Sequence, residues 1–294
     1  MLEKSRLYLP KVPKSNYQPQ SQDTNIEADV YLFNRLRNLT LKQRLQMFIS
    51  HEKGVKKLCL VGIKSRHRNF TIQEIRDKFT CAVLGEKYTP EFQPKGINEN
   101  MWIQDSISLA GELHQIFASI NICYYVSGGV ASSIHGEPRS TRDLDLVIEI
   151  NQNQIDLLVE TLEASGYYCP AGAVEDLQRG YGNILNITHP ETIANADIYI
   201  TDNSHFAISQ MNRRVLVDVE GIPSFWIASA EDNILHTTQK LRWGKGSKSE
   251  KQWRDVLGIV KLQAENLDYG YLVEWAEFLD LVDEFSEVLN QARI

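Results

Sequence analysis

Apolar residues in this chain repeat at two periods, and the alternation between them outlines the fold. Within 26–52, Tyr31, Leu32, Leu36 and Leu39 recur at helical spacing, and Thr40 with Gln43 forms a capping-box pattern that predicts a second helix start. The apolar run 56–63 (KKLCLVGI) reads as a short strand, and Thr71 with Glu74 opens another helix. Residues 85–100 carry Pro and Gly without a period and predict a linker. An amphipathic helix follows over 103–119, with Ile107, Leu109, Leu113, Ile116 and Phe117 on its apolar stripe. A buried strand over 122–126 runs into Gly128-Gly129 and a short helix. A basic linker then leads to a strand entered at Asp143, and a helix spans 154–164. Strands over 184–187 and 196–200 and a hairpin around Glu220-Gly221 precede helices from Ser229 almost to the end, with a polar break at 244–251.

This alternation predicts an α/β (α+β) fold, a mixed sheet flanked by helices. Three regions are expected: a separate N-terminal basic α/β region over 1–100, a core over 101–228 and a C-terminal helical region over 229–294. Residues 1–25, polar and holding three prolines, read as an extended or poorly ordered arm. Helices plus a short strand in the first hundred residues loosely suggest a winged helix, although no recognition helix stands out.

Composition changes this picture little. The chain has 294 residues, 43% hydrophobic and 23% charged, as in an ordinary globular protein. It contains no run of 18 apolar residues and no apolar N-terminal segment, so no membrane partner and a cytoplasmic location are expected. The four cysteines have no CxxC spacing and fit reduced thiols. Charge is more informative. Residues 1–100 hold 18 Lys and Arg against 10 Asp and Glu, and the remainder holds 13 against 28. The densest basic cluster is Lys53, Lys56, Lys57, Lys64, Arg66, His67 and Arg68. The basic N-terminal region either contacts nucleic acid or packs on the acidic remainder; in the cluster itself only Phe70 lies nearby. The near absence of interleaved aromatics favours a solvated face over a stacking platform.

The candidate chemistry lies in 124–150. Asp143 and Asp145 alternate with Leu144 and Leu146, so on a strand both carboxylates share one face, about 7 Å apart. Like charges so placed make sense around a cation, and hard divalent ions take oxygen ligands. Just upstream, Ser127-Gly128-Gly129 leaves backbone N–H groups able to approach a phosphate. Metal carboxylates beside a phosphate cradle are what phosphoryl or nucleotidyl transfer requires. Further on, Asp197 is a lone charge at the start of an apolar strand, a position that calls for a partner.

Gly128-Gly129 followed by Gly136, Arg139, Thr141, Asp143 and Asp145 resembles the signature of the DNA polymerase beta-like nucleotidyltransferase superfamily. Residues 228–241 with Arg254-Asp255 look like the tail of the bacterial AbiEii-like minimal nucleotidyltransferases, several of which are toxins. The resemblance covers about 103–290. Two departures concern the tail, where Ala230 replaces a common Pro and the acid after Arg254-Asp255 is absent. The resemblance implies Asp143, Asp145 and Asp197 as catalytic ligands of Mg²⁺ (or Mn²⁺). It implies Ser127, Gly128, Gly129, Arg139, Thr141, Arg142 and Lys240 as contacts of a nucleoside triphosphate such as ATP, held between the Gly-Gly turn and the C-terminal helices. The implied activity moves an NMP to a hydroxyl of an RNA 3′ end or a protein side chain, with an antitoxin protein as partner in a toxin role. Two alternatives share the core: a catalytically silent nucleotide- or RNA-binding module, and a sugar-phosphate or antibiotic nucleotidyltransferase.

Overall fold

Six strands form one mixed sheet in the structure, a computed structural model that describes residues 16–243 and 250–292. They are β1 (Cys123–Ser127), β2 (Leu144–Glu149), β3 (Ile184–Thr188), β4 (Asn195–Ile200), β5 (Val215–Val217) and β6 (Phe225–Ile227), in the order β3-β4-β2-β1-β6-β5. Pairings β2/β4 and β1/β6 are parallel; β1/β2, β3/β4 and β5/β6 are antiparallel. The α/β expectation holds, as does the hairpin around Glu220-Gly221.

The helices are α1 (Ile26–Arg37), α2 (Leu41–Arg66), α3 (Ile72–Leu84), α4 (Glu99–Trp102), α5 (Ser106–Ser119), α6 (Gly128–His135), α7 (Ile155–Ala164) and α8 (Ala171–Gln178). After them come α9 (His205–Arg213), α10 (Ala230–Trp243), α11 (Glu250–Gln263), α12 (Tyr269–Phe278) and α13 (Val282–Ala292). The chain divides into two compact units. One is helical and comprises the described residues up to 40, the segment His135–Glu137 and the described residues from Ala230 onward; the other runs Leu41–Ile134 and Pro138–Ser229 and holds the sheet.

In the sheet unit α5 packs its stripe on one sheet face. Leu109, Leu113 and Phe117 share a buried core with Leu144, Leu146 and Ile148 of β2. Each such side chain contributes about 1.5–3 kcal/mol of burial. Asp105 caps α5 by accepting from Ile107 N–H and Ser108 N–H. The capping box at Thr71 and Glu74 is formed as the sequence predicts.

Three expectations are corrected. The run 56–63 is not a strand but the C-terminal half of α2, a single helix of 26 residues. Leu60 and Ile63 face the core while Leu58 and Val61 stay exposed, a helical split that a short apolar run does not reveal by itself. The described part of the first hundred residues is therefore helical, with no strand. Nor do the units divide near residue 100. Residues 85–100 pack on the sheet unit through Phe92, which joins Phe79, Trp102 and Ile193 in a second core cluster, and Lys95 N–H donates to Pro190 C=O. Finally, the arm expected over 1–25 is docked where it is described: Tyr17 and Gln20 are buried. Residues 1–15 and most of the break at 244–251 lie outside the described residues.

The basic cluster largely meets internal partners. Lys53 pairs with Asp105 at 2.9 Å, Lys64 with Glu99 at 2.6 Å, Lys56 donates to Gln104 C=O, and His67 stacks on Phe70. No described helix is long and apolar enough to cross a membrane.

The helical unit encloses an ion pair. Lys261 of α11 is fully buried and donates to Asp29 Oδ2 of α1 at 2.8 Å; Tyr17 donates to the same oxygen and stacks its ring on the ammonium. Burial pushes the Lys261 pKa down, with Asp29 opposing it. Removing one partner strands a buried charge, so Lys261→Met should cost about 3–5 kcal/mol in urea unfolding, and Lys261→Met with Asp29→Leu should recover much of the loss.

Candidate active site

One register line crosses four adjacent strands. Ser127 of β1 lies opposite Asp145 of β2, Asp145 beside Asp197 of β4, and Asp197 opposite Asn186 of β3. Paired residues in a ladder share a face. Alternation along β2 sends Leu144, Leu146 and Ile148 into the main core. Val147, on the Asp145 face, instead packs with Tyr125, Met211 and Ala228. The carboxylates therefore emerge at the end of the sheet where β2 and β4 begin, opposite the α5 layer.

Two of these carboxylates converge on a cation, and the cation belongs to the chain. The Lys87 ammonium lies 2.5 Å from Asp197 Oδ2 and 3.0 Å from Asp143 Oδ2. The other oxygen of each carboxylate is held by an amide: Asn186 Nδ2 donates to Asp197 Oδ1 at 2.6 Å, and Asn195 Nδ2 to Asp143 Oδ1 at 2.8 Å. These amides fix the rotation of both carboxylates and turn their Oδ2 atoms toward one point. Burial alone would lower the Lys87 pKa; hydrogen bonds and charge from Asp197 and Asp143 outweigh it and raise it. Tyr199, two residues after Asp197, has its hydroxyl pKa pushed up by burial and by Asp145, Asp197 and Asp143.

Asp145 turns toward the glycine turn. Gly128 has φ +59, and a Cβ there would lie 2.0 Å from Asp145 Oδ2. A Cβ on Gly129 would lie 2.7 Å from Thr141 Oγ1 and 3.3 Å from Arg139 Nη2. Both glycines are thus required by close approach, and the turn, Thr141 and the Arg139 guanidinium form one compact group. Ser127, which ends β1 before this turn, is buried. Arg142 is exposed and lies against Gly85, two residues before Lys87. Lys240 is exposed on α10, in the helical unit. In that unit Arg254 grips both carboxylate oxygens of Glu137 at 2.9–3.1 Å.

The sequence reading missed Lys87, Asn186 and Asn195. Asn195 had a signal, since N-x-D places it on the face of Asp197 in the same strand. Asn186 is the one polar side chain between Leu185 and Ile187. Lys87 had none, being 110 positions from Asp197 inside an apparent linker.

The donor chemistry fits a hard divalent ion: two carboxylate oxygens converge and their partner oxygens are already bonded. Among the described residues no three His, Cys, Asp or Glu side chains are gathered to hold a metal. The convergence point holds the Lys87 ammonium instead, so a metal and Lys87 exclude one another there.

No family model matches the chain, and no curated protein matches it. Solved structures do show a likeness. One is an antigenic nucleotidyltransferase-like protein from Paracoccidioides brasiliensis, 20% identical, covering 64% of this chain and 94% of its own, with a TM-score of 0.41. Another is the lincomycin-bound lincosamide antibiotic adenylyltransferase LnuA, 13% identical, covering 51% and 94%, with a TM-score of 0.33. A third is the STING-associated c-di-GMP synthase CdnE from Capnocytophaga granulosa, 12% identical, covering 86% and 84%, with a TM-score of 0.29. Likenesses this distant carry no argument about activity, substrate or metal, and the AbiEii-like subgroup stays a resemblance of the sequence.

The turn makes a stability prediction. Gly128→Ala should cost more than the about 1–2 kcal/mol of a left-handed alanine, because the added methyl also collides with Asp145. Urea denaturation of Gly128→Ala beside Gly180→Ala, a left-handed glycine (φ +70) where a Cβ meets nothing within 4 Å, isolates the collision.

Proposed function

We propose that this chain is a divalent-metal-dependent nucleotidyltransferase that moves an NMP from a nucleoside triphosphate to an acceptor hydroxyl. The observation that carries this reading is the pairing of convergent Asp143 and Asp197 oxygens with Asp145 placed directly against the Gly128-Gly129 turn. Asp143, Asp145 and Asp197 are the residues that would hold Mg²⁺ or Mn²⁺. When bound, the metal would stabilise the attacking and leaving oxygens of an in-line displacement, with pyrophosphate leaving.

The chain's own residues supply the remainder. Ser127, Gly128 and Gly129 offer backbone N–H groups and a hydroxyl to the triphosphate, and Arg139 brings positive charge to the same turn. Thr141 holds the loop that positions Arg139. Arg142 is a further candidate for phosphate charge from the exposed side. Asp197 lies on the register line beside Asp145 and suits the role of base or base-holder for the acceptor hydroxyl. RNA 3′ ends and protein side chains both present such a hydroxyl, and a toxin role would bring an antitoxin protein as partner.

One observation favours a second reading. A lysine seated on the carboxylates is also what a catalytically silent nucleotide- or RNA-binding module would carry. Incubation with each α-labelled NTP, Mg²⁺ or Mn²⁺, and total RNA or cell extract separates the two. The enzyme reading expects label transfer that Asp143→Asn with Asp145→Asn reduces by about 10²-fold or more. Nucleotide binding without transfer for any NTP would support the silent module.

A further inference from the structure

The Lys87 contact reaches beyond that reading while resting on it. Lys87 closes a short turn, Gly85–Lys87, that directly follows α3. Arg142, from the loop leading into β2, lies against Gly85 at the start of this turn. Just after it, Tyr88 and Phe92 pack with Ile193, at the approach to β4, and with Tyr168. The backbone that carries the lysine is thus anchored to the loops preceding both aspartates. Its side chain, 30% exposed, has four rotatable bonds and a path toward solvent.

We propose that Lys87 is a built-in competitor for the divalent cation, its ammonium standing in for the metal between Asp143 and Asp197 and leaving when metal binds. Two features distinguish this from an ordinary surface pair. First, the ammonium meets the very oxygens, Oδ2 of each residue, that Asn186 and Asn195 leave available. Second, it serves two carboxylates at once, as a shared cation does. In this arrangement the metal-free site stays assembled, because the positive charge that prevents Asp143 and Asp197 from repelling each other comes from the chain. The cost is that metal affinity is lower than the carboxylates alone would provide. Lys87 is a positioning residue in this account; it need not touch substrate.

Mn²⁺ binding to the full chain tests this without reference to activity, with free Mn²⁺ followed by its electron paramagnetic resonance signal. Lys87→Met should tighten the apparent dissociation constant at least about tenfold. Asp143→Asn should abolish tight binding in both backgrounds. Melting temperature provides the second readout: Lys87→Met should melt lower than the parent in EDTA and gain more on Mn²⁺ addition. Lys87→Gln, which keeps a hydrogen-bond donor near the carboxylates, serves if Lys87→Met does not fold without metal. Mn²⁺ binding that is present but no tighter in Lys87→Met and Lys87→Gln overturns the competitor role and leaves the metal-dependent reading standing. Absence of Mn²⁺ binding in the parent and both variants overturns both.

Discussion

Crowded negative charge at the start of β2 and β4 is the constraint around which the sheet unit is arranged. The register of β2 on β4 puts Asp145 beside Asp197, and Asp143, just before β2, meets the same Lys87 ammonium as Asp197. Unit charges about 4 Å apart interact by about 4 kcal/mol at an effective dielectric near 20, a large share of a domain's net stability. The fold meets this cost with a cation and two amides. Lys87 bridges Asp143 and Asp197, and Asn186 and Asn195 hold the remaining oxygens. The same arrangement leaves a pair of acceptor oxygens aimed at one point, which is how a structural solution becomes a candidate site.

That arrangement also explains why the segment after α3 cannot be a free linker. Lys87 reaches the carboxylates only because Tyr88, Phe92 and Trp102 pack where they do, in a cluster that includes Ile193 just before β4. Packing and electrostatics are coupled there: the apolar contacts place the ammonium, and the ammonium relieves the strand ends. The helical unit has a comparable feature in the buried Lys261–Asp29 pair, which orders the segment at Tyr17 against α11. Its role differs, since both partners are almost fully buried and leave no position for a ligand.

Much of the site was legible because strand alternation is a local property. Asp143 and Asp145 share a face in any extended strand, and Gly128 and Gly129 mark a turn after any buried strand. Asp197 stood out as one charge in an apolar strand. The misread elements share a physical cause as well. The run at 56–63 is short and apolar, and whether it pairs as a strand or coils as a helix depended on the 15 residues before it, which form the first part of α2. The stretch 85–100 has the composition of a linker, yet Phe92 gives it enough apolar surface to dock. Lys87 carries no local mark at all, since its partners lie far along the chain.

Taken alone, then, the sequence determined the α/β class and the turn and marked three candidate acids, because periodicity, glycine geometry and isolated charge are written within a few residues of one another. Only the tertiary structure decided that Asp197 lies beside Asp145, that two asparagines orient the carboxylates, and that a lysine from the turn after α3 fills the point where they converge. Those facts depend on strand register and on packing between distant segments, and electrostatic partnership across such distances exists only once the chain has folded.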